Sequence, residues 1–368
     1  MPDTNADTAV AIGAEVPPAT IEWLTEPENP AVAVLTRRRF LGEKESHELE
    51  TLWAHRNEYA SVARILDLVR ADGSWDEPGR DYQKYGGSLW QMVFLGELYA
   101  DGEDERVRLA ADYAFSRQKT DGTWSANPKA RYFMPCLTAN VGRGLARMGW
   151  ARDERVVRAL GSIAEGYERL GFLGCTDMQP FCLNGYCHML APKVLLFLGE
   201  VPRELWPEGA ERLRDACIAA LREKQVFRSL PEEFKQFQAE VWPIPAADRA
   251  EARERFLREH EPLHYGDKPG WLRFGFPLSY NSDALEALLA LASVGEARHP
   301  EYEPAIEVVR GAADAQMRWT IRNSFNGKML ADVETKGRPS KWLTLRALTA
   351  LAHFNALGGM RAGTAAKR

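Results

Sequence analysis

Apolar residues recur at three- and four-residue intervals along most of the chain. This period predicts helices near 29–41, 47–70, 85–99, 104–118, 135–149, 153–168, 182–199, 209–227, 273–295, 302–318 and 340–354. The segments beginning near 85, 135, 182, 273 and 340 are apolar or small on nearly every face, as in SLWQMVFLGEL and HMLAPKVLLFL, whereas segments such as ERVRLAADYAFSRQ keep one charged side. A helix that is apolar all round must be covered on both sides, so these five are expected in an inner layer and the one-sided helices outside them. Residues 1–27 have no such period and read as a disordered N-terminal tail, and 357–368 read as a flexible C-terminal tail.

The layers repeat. Asp72-Gly73-Ser74-Trp75 returns 49 positions later as Asp121-Gly122-Thr123-Trp124, and Asp104-Glu105-Arg106-Val107 returns 49 positions later as Asp153-Glu154-Arg155-Val156. A degenerate third copy has Gly171 at the glycine position and Leu173 in place of the tryptophan. Each unit reads as a helical hairpin: a charged helix, a glycine-containing turn that ends it, then an apolar helix. Five or six hairpins can form an open solenoid or close into a ring. The small number of repeats and the insertion near 228–270 favour closure, which predicts an all-α fold, an α/α toroid spanning 28–356 as one domain.

Composition narrows the function. The chain of 368 residues is 45% hydrophobic and 27% charged, with a net charge of −5. It has no basic block interleaved with aromatics, so no nucleic-acid partner is expected. No apolar run is long enough to span a bilayer, and RRRFLG at 37–42 is not followed by the apolar stretch an export signal needs. A cytoplasmic location and reduced cysteines are therefore expected.

With these words in view, the turns DGSW and DGTW resemble the turn of the prenyltransferase/squalene-oxidase repeat, found in squalene-hopene-type cyclases and protein prenyltransferase beta subunits. Trp319–Leu351, with NSFNGK, VETKGRPSKW and LTLRAL, is similar to the closing repeat of bacterial proteins of that superfamily. So is Trp271–Leu288, with FGFPLSYNSDALEAL, and together with YGGSLWQMVFLGEL the resemblance covers roughly 28–355. It implies a toroid and a terpenoid-cyclase or prenyltransferase-like enzyme with an apolar or isoprenoid substrate. The chain departs from the pattern in having no DxDD acid motif and no DDxxD. It also has Cys175-Thr176-Asp177 where prenyltransferases carry the reverse order, Asp-x-Cys.

Candidate chemistry follows from the repeat register, which places the starts of successive inner helices side by side at one end. Cys136, Cys175, Cys187 and His188 would converge there, with Cys182 as a spare, and thiolate and imidazole donors suit zinc. The adjacent pair Cys187-His188 resembles a ligand pair of lanthionine cyclases in geometry only. Zinc-assisted thiol alkylation is the chemistry such a site would perform, and inert packing cysteines are the alternative. Cys217, on an outer helix, reads as structural.

Asp177, Tyr280 and Asp283 are candidate catalytic residues, with Asp283 equally readable as a helix N-cap. Tyr85, Trp90, Trp271 and Trp342 could line an aromatic pocket or simply fill core. Lys341 belongs to a basic run with Arg322, Lys328, Lys336 and Arg338 that could hold a substrate anion or lie solvated on a turn. His260 and His264 have the spacing of a helical metal pair, but Pro262 between them argues against the helix. A metal-independent cyclase and a non-catalytic ligand- or protein-binding toroid are the rival readings.

Overall fold

A computed structural model describes residues 13–76, 80–126, 133–175, 182–183, 186–245 and 247–360. Six apolar helices form the inner layer: α2 (Pro30–Phe40), α5 (Ser88–Glu97), α7 (Pro135–Leu145), α9 (Leu190–Leu198), α13 (Ala284–Ser293) and α15 (Lys341–His353). Every residue of α5, α9 and the first nine of α13 is buried, as the all-round apolar pattern requires. Packing runs from α5 to α7, α9, α13, α15 and α2 in turn. The ring stacking of Tyr99 on Trp342, 6.1 Å apart, and a 2.9 Å ion pair between Arg346 and Glu97 tie α15 back to α5. This is the closed α/α toroid that the repeats predict.

Outside lie α3 (His47–Ala54), α4 (Ala60–Leu66), α6 (Glu105–Ser116), α8 (Glu154–Leu170), α10 (Ala210–Glu223) and α14 (Glu303–Gly311). Each buries a single stripe, such as Val156, Ala159, Leu160, Ile163 and Ala164 of α8. The repeated DERV word is the start signal of α6 and α8. Asp104 and Asp153 cap the backbone N–H two residues on, at 2.9 and 2.8 Å, and each also holds the guanidinium of that residue, Arg106 or Arg155.

The tryptophan word fastens each outer helix to the inner ring. In both copies the aspartate accepts from the backbone N–H and hydroxyl two residues on, and the glycine takes a positive φ, +81° at Gly73 and +84° at Gly122. The indole N–H then reaches a carbonyl ten residues upstream: Trp75 to Ile65 at 2.8 Å and Trp124 to Ala114 at 2.7 Å. The tryptophan backbone N–H meets a hydroxyl of the next inner helix, Ser88 or Thr138.

Trp319 does the same with Val309, at 2.7 Å, and with Thr344. Asp314–Trp319 is thus a further copy of the turn, hidden from the sequence by two additional residues. Trp124→Phe should remove the indole donor to the Ala114 carbonyl, which keeps the Arg117 N–H, and leave a gap where the second ring of the buried indole packed. A loss of about 1–3 kcal/mol is expected in denaturant unfolding.

Three expectations need correction. Residues 1–27 are not wholly a tail. Pro18–Leu24 forms helix α1, Leu24 is fully buried, and Arg318 donates to the Ala19 carbonyl at 2.8 Å while lying 4.5 Å from the Trp23 ring. A seven-residue helix held by distant contacts leaves too short a pattern to read. The helices expected from 182 and 273 begin at Leu190 and Ala284. The preceding apolar residues are buried by extended chain instead: Leu173 bridges Tyr186, and the Phe274 carbonyl accepts from the backbone of Arg322 and Asn323.

The insertion is itself helical, with α11 (Pro231–Glu240) and α12 (Arg249–Glu259) over a small core of Leu230, Phe237, Val241, Ala252 and Phe256. It is closed at its base by β1 (Arg228–Ser229) pairing with β2 (Gly266–Asp267).

Candidate active site

The inner helices begin at one end of the ring, and the turn before α5 brings aromatic side chains there. Tyr82 lies 5.5 Å from Trp90, Trp90 lies 6.1 Å from Tyr280, and Tyr85 stacks on Phe325 at 4.5 Å. Lys84 Nζ sits 4.4 Å from the centre of the Tyr280 ring and 5.6 Å from that of Tyr85. Two residues in this cluster hold left-handed backbone without being glycine, Tyr85 at φ 68° and Ser279 at φ 56°.

Buried groups hold that strain in place. The Gln91 side chain donates to the Tyr85 carbonyl at 2.9 Å, and Asn140 donates to the Ser279 carbonyl at 3.3 Å. The turn also needs Gly87, where a Cβ would meet the Asp81 carbonyl oxygen at 2.4 Å. Asp81 is in turn fixed by Arg117 at 2.8 Å.

The two tyrosines are driven apart electrostatically. Burial raises both phenols, and in Tyr85 the hydrogen bond to Tyr280 raises it further. In Tyr280 the opposing hydrogen bonds from Lys84 and Tyr85, with the charges of Lys84 and Lys328, outweigh burial and pull the phenol below its ordinary value. Tyr82, pushed up to about 12 by burial, stays a neutral donor. One tyrosine with a lowered phenol beside another with a raised one is the arrangement of an acid–base pair.

The cysteines do come to this end, as the repeat register requires. Cys136 lies in the first turn of α7, and burial, then the proximity of Cys187 and Cys175, pushes its thiol up to about 12. Cys182 is likewise pushed up to about 12 by burial and then by Cys187 and Cys175. The loop carrying Cys182 is clamped by Arg253 of the insertion, which donates to the carbonyls of Cys182 and Leu183, both at 3.0 Å.

The expected zinc set does not assemble, however. Among the described residues no three His, Cys, Asp or Glu side chains are grouped to hold a metal ion. His188 turns to Lys224, whose Nζ is 3.0 Å from its Nδ1, and burial followed by the charges of Lys224 and Lys268 lowers the imidazole to about 2. Burial also lowers both lysines, and the Lys224 contact occupies the Nδ1 side of His188. All five cysteines, Cys217 among them, are free thiols.

The remaining predicted residues scatter. Asp283 is the N-cap of α13: its oxygens accept from the Glu286 and Gly275 backbone at 2.8 and 3.0 Å, and burial, then Glu286, raises its carboxyl to about 7. Trp271 lies 4.4 Å beneath Lys224, beside His188 and away from the tyrosines. Trp342 faces the ring axis against Phe276, and Lys341 pairs with Glu26 at 2.6 Å. Asp177 lies outside the described residues. His260 stacks on Phe256 at 3.9 Å, while His264 is 3.6 Å from Glu233, so the two do not form a metal pair. Lys84 was missed because an isolated lysine in an irregular turn carries no periodic signal.

No family model matches the sequence, and no curated protein matches it. Among solved structures, the chain is similar to a type II terpene cyclase from Scytonema, determined with geranylgeranyl dihydroxybenzoate bound as substrate. The identity is 15%, the match covers 82% of this chain and 97% of that one, and the TM-score is 0.33. At that level the likeness bears on neither activity nor substrate. No described helix is long and apolar enough to cross a membrane.

Proposed function

We propose that this protein is a metal-independent enzyme of terpenoid-cyclase type, which takes an apolar, isoprenoid-like molecule at the aromatic end of the ring and moves a proton at Tyr280. The observation that carries the reading is Lys84 Nζ seated 4.4 Å from the centre of the Tyr280 ring, a setting that, with Tyr85, pulls the phenol below its ordinary value. A phenolate there can accept a proton from a carbon acid or a carbocation, with Tyr85 O–H positioned to steady the charge. The faces of Trp90, Tyr82 and Tyr280 suit positive charge developing on a hydrocarbon. Thiol alkylation is less well supported, since Cys136 and Cys182 are held protonated by burial.

Near-ultraviolet titration of tyrosinate provides the test, together with mass spectrometry of products from a panel of polyprenyl substrates. Wild-type protein should show one phenol ionising below the rest, absent in Tyr280→Phe. In Lys84→Met it should move up by about one unit or more, because the cation over the ring is gone. A titration unchanged by either substitution would refute the assignment.

A further inference from the structure

The ring axis holds a cavity of about 310 Å³ at the end where α2, α5, α7, α9 and α13 finish, away from the tyrosine cluster. Its walls combine the guanidinium groups of Arg39, Arg147 and Arg346 with the rings of Tyr99, Phe276 and Trp342. The volume falls at the lower end of the range for small-molecule sites, which typically have an apolar lining and a few convergent polar groups.

The charges around it do not close on themselves. Glu97 is shared by Arg143, Arg147 and Arg346, and Glu200 by Arg147 and Arg143. Lys193 and Glu286 pair at 2.7 Å. Four buried cations thus face three carboxylates, and Arg39 adds another positive charge. Its recorded hydrogen bond is to the Thr349 hydroxyl at 3.4 Å, with no carboxylate in ion-pair range among the described residues. Arg346 Nη2 is buried without a hydrogen-bond partner, its nearest carboxylate oxygen being 3.8 Å away on Glu286. Arg346 lies in the first half of α15, whereas Arg39 and Arg147, at the C-terminal ends of α2 and α7, offset the negative ends of those helix dipoles. That role explains their sign, but not an open volume between guanidinium donors and flat rings.

We propose that this chamber is a second ligand site for a small organic anion, a carboxylate or phosphate monoester on a flat apolar body. Arg39 and Arg346 take the anionic group, and the body lies against Trp342 and Phe276. The site is independent of the proton-transfer chemistry proposed at the other end.

Calorimetric titration of the full chain with benzoate, phenyl phosphate, inorganic phosphate and neutral benzyl alcohol tests it. One of the two aromatic anions should bind at least about tenfold more tightly than either inorganic phosphate or benzyl alcohol. Arg39→Gln should weaken that binding about tenfold or more, the scale of one lost charged hydrogen bond. Arg38→Gln, at the same wall, should weaken it less. Tyr280→Phe should leave it unchanged, which separates failure here from failure of the proposed activity. Absence of binding by both aromatic anions overturns the proposal, as does equal binding of the neutral alcohol. Undiminished binding by a folded Arg39→Gln variant overturns it too.

Discussion

Replacing Tyr280 with phenylalanine is expected to lower turnover of an isoprenoid substrate by about 10²–10⁴-fold, the range associated with one positioned acid–base group. The ring remains, so the aromatic wall against Trp90 is kept and substrate affinity should change little. The loss should therefore fall on kcat and leave KM nearly constant. The pH profile gives a second readout. Because the phenol of Tyr280 is held below its ordinary value, the active phenolate should accumulate, and the rate should rise, at lower pH than an unperturbed tyrosine allows. In Lys84→Met the rising limb should shift to higher pH. Wild-type kcat in Tyr280→Phe would exclude proton transfer at this residue.

Glu97→Gln should cost about 3–5 kcal/mol of stability, since it breaks a buried ion network from one side. Glu97 is 7% exposed, and its carboxylate is shared by Arg143, Arg147 and Arg346 on two other inner helices. Glutamine keeps the shape but leaves those largely buried guanidinium groups facing too little negative charge. Burial alone would raise the Glu97 pKa, but Arg143, Arg346 and Arg147 outweigh it and hold the carboxyl far below the usual carboxylate range. A depressed folded-state pKa means the stabilisation is fully present above the unfolded value and is lost as pH falls through the folded one. The difference between wild type and Glu97→Gln in urea unfolding should accordingly be constant through neutral pH and shrink only in strong acid. A difference below about 1 kcal/mol would mean that water reached through the cavity solvates the arginines.

The aromatic end and the axial network were legible to different degrees for a physical reason. Repeats and helical period follow from short-range rules. A 49-residue spacing places Cys187 two positions past the repeat equivalent of Cys136, and the structure brings both to one end, where Cys187 helps to raise the Cys136 thiol. Where the His188 ring lies is set by Lys224, thirty-six positions away, which the repeat spacing does not show. The same applies to Asp283. Its acidic side chain before an apolar helix was readable both as a cap and as a cavity acid, and the Gly275 and Glu286 N–H groups occupy its oxygens. Arg143, Arg346 and Lys193 are charged residues inside apolar helices, and their partners lie on other helices, where helical period carries no information.

The amino-acid sequence by itself determined the helical class, the two layers and the repeated turn, because period, capping and glycine geometry act within a few residues of one another. Only the tertiary structure decided which side chains meet: Tyr280 with Lys84 and Tyr85, Glu97 with three arginines, His188 with Lys224. These contacts join residues distant in sequence, and their electrostatics depend on burial and distance, which exist only once the ring has closed.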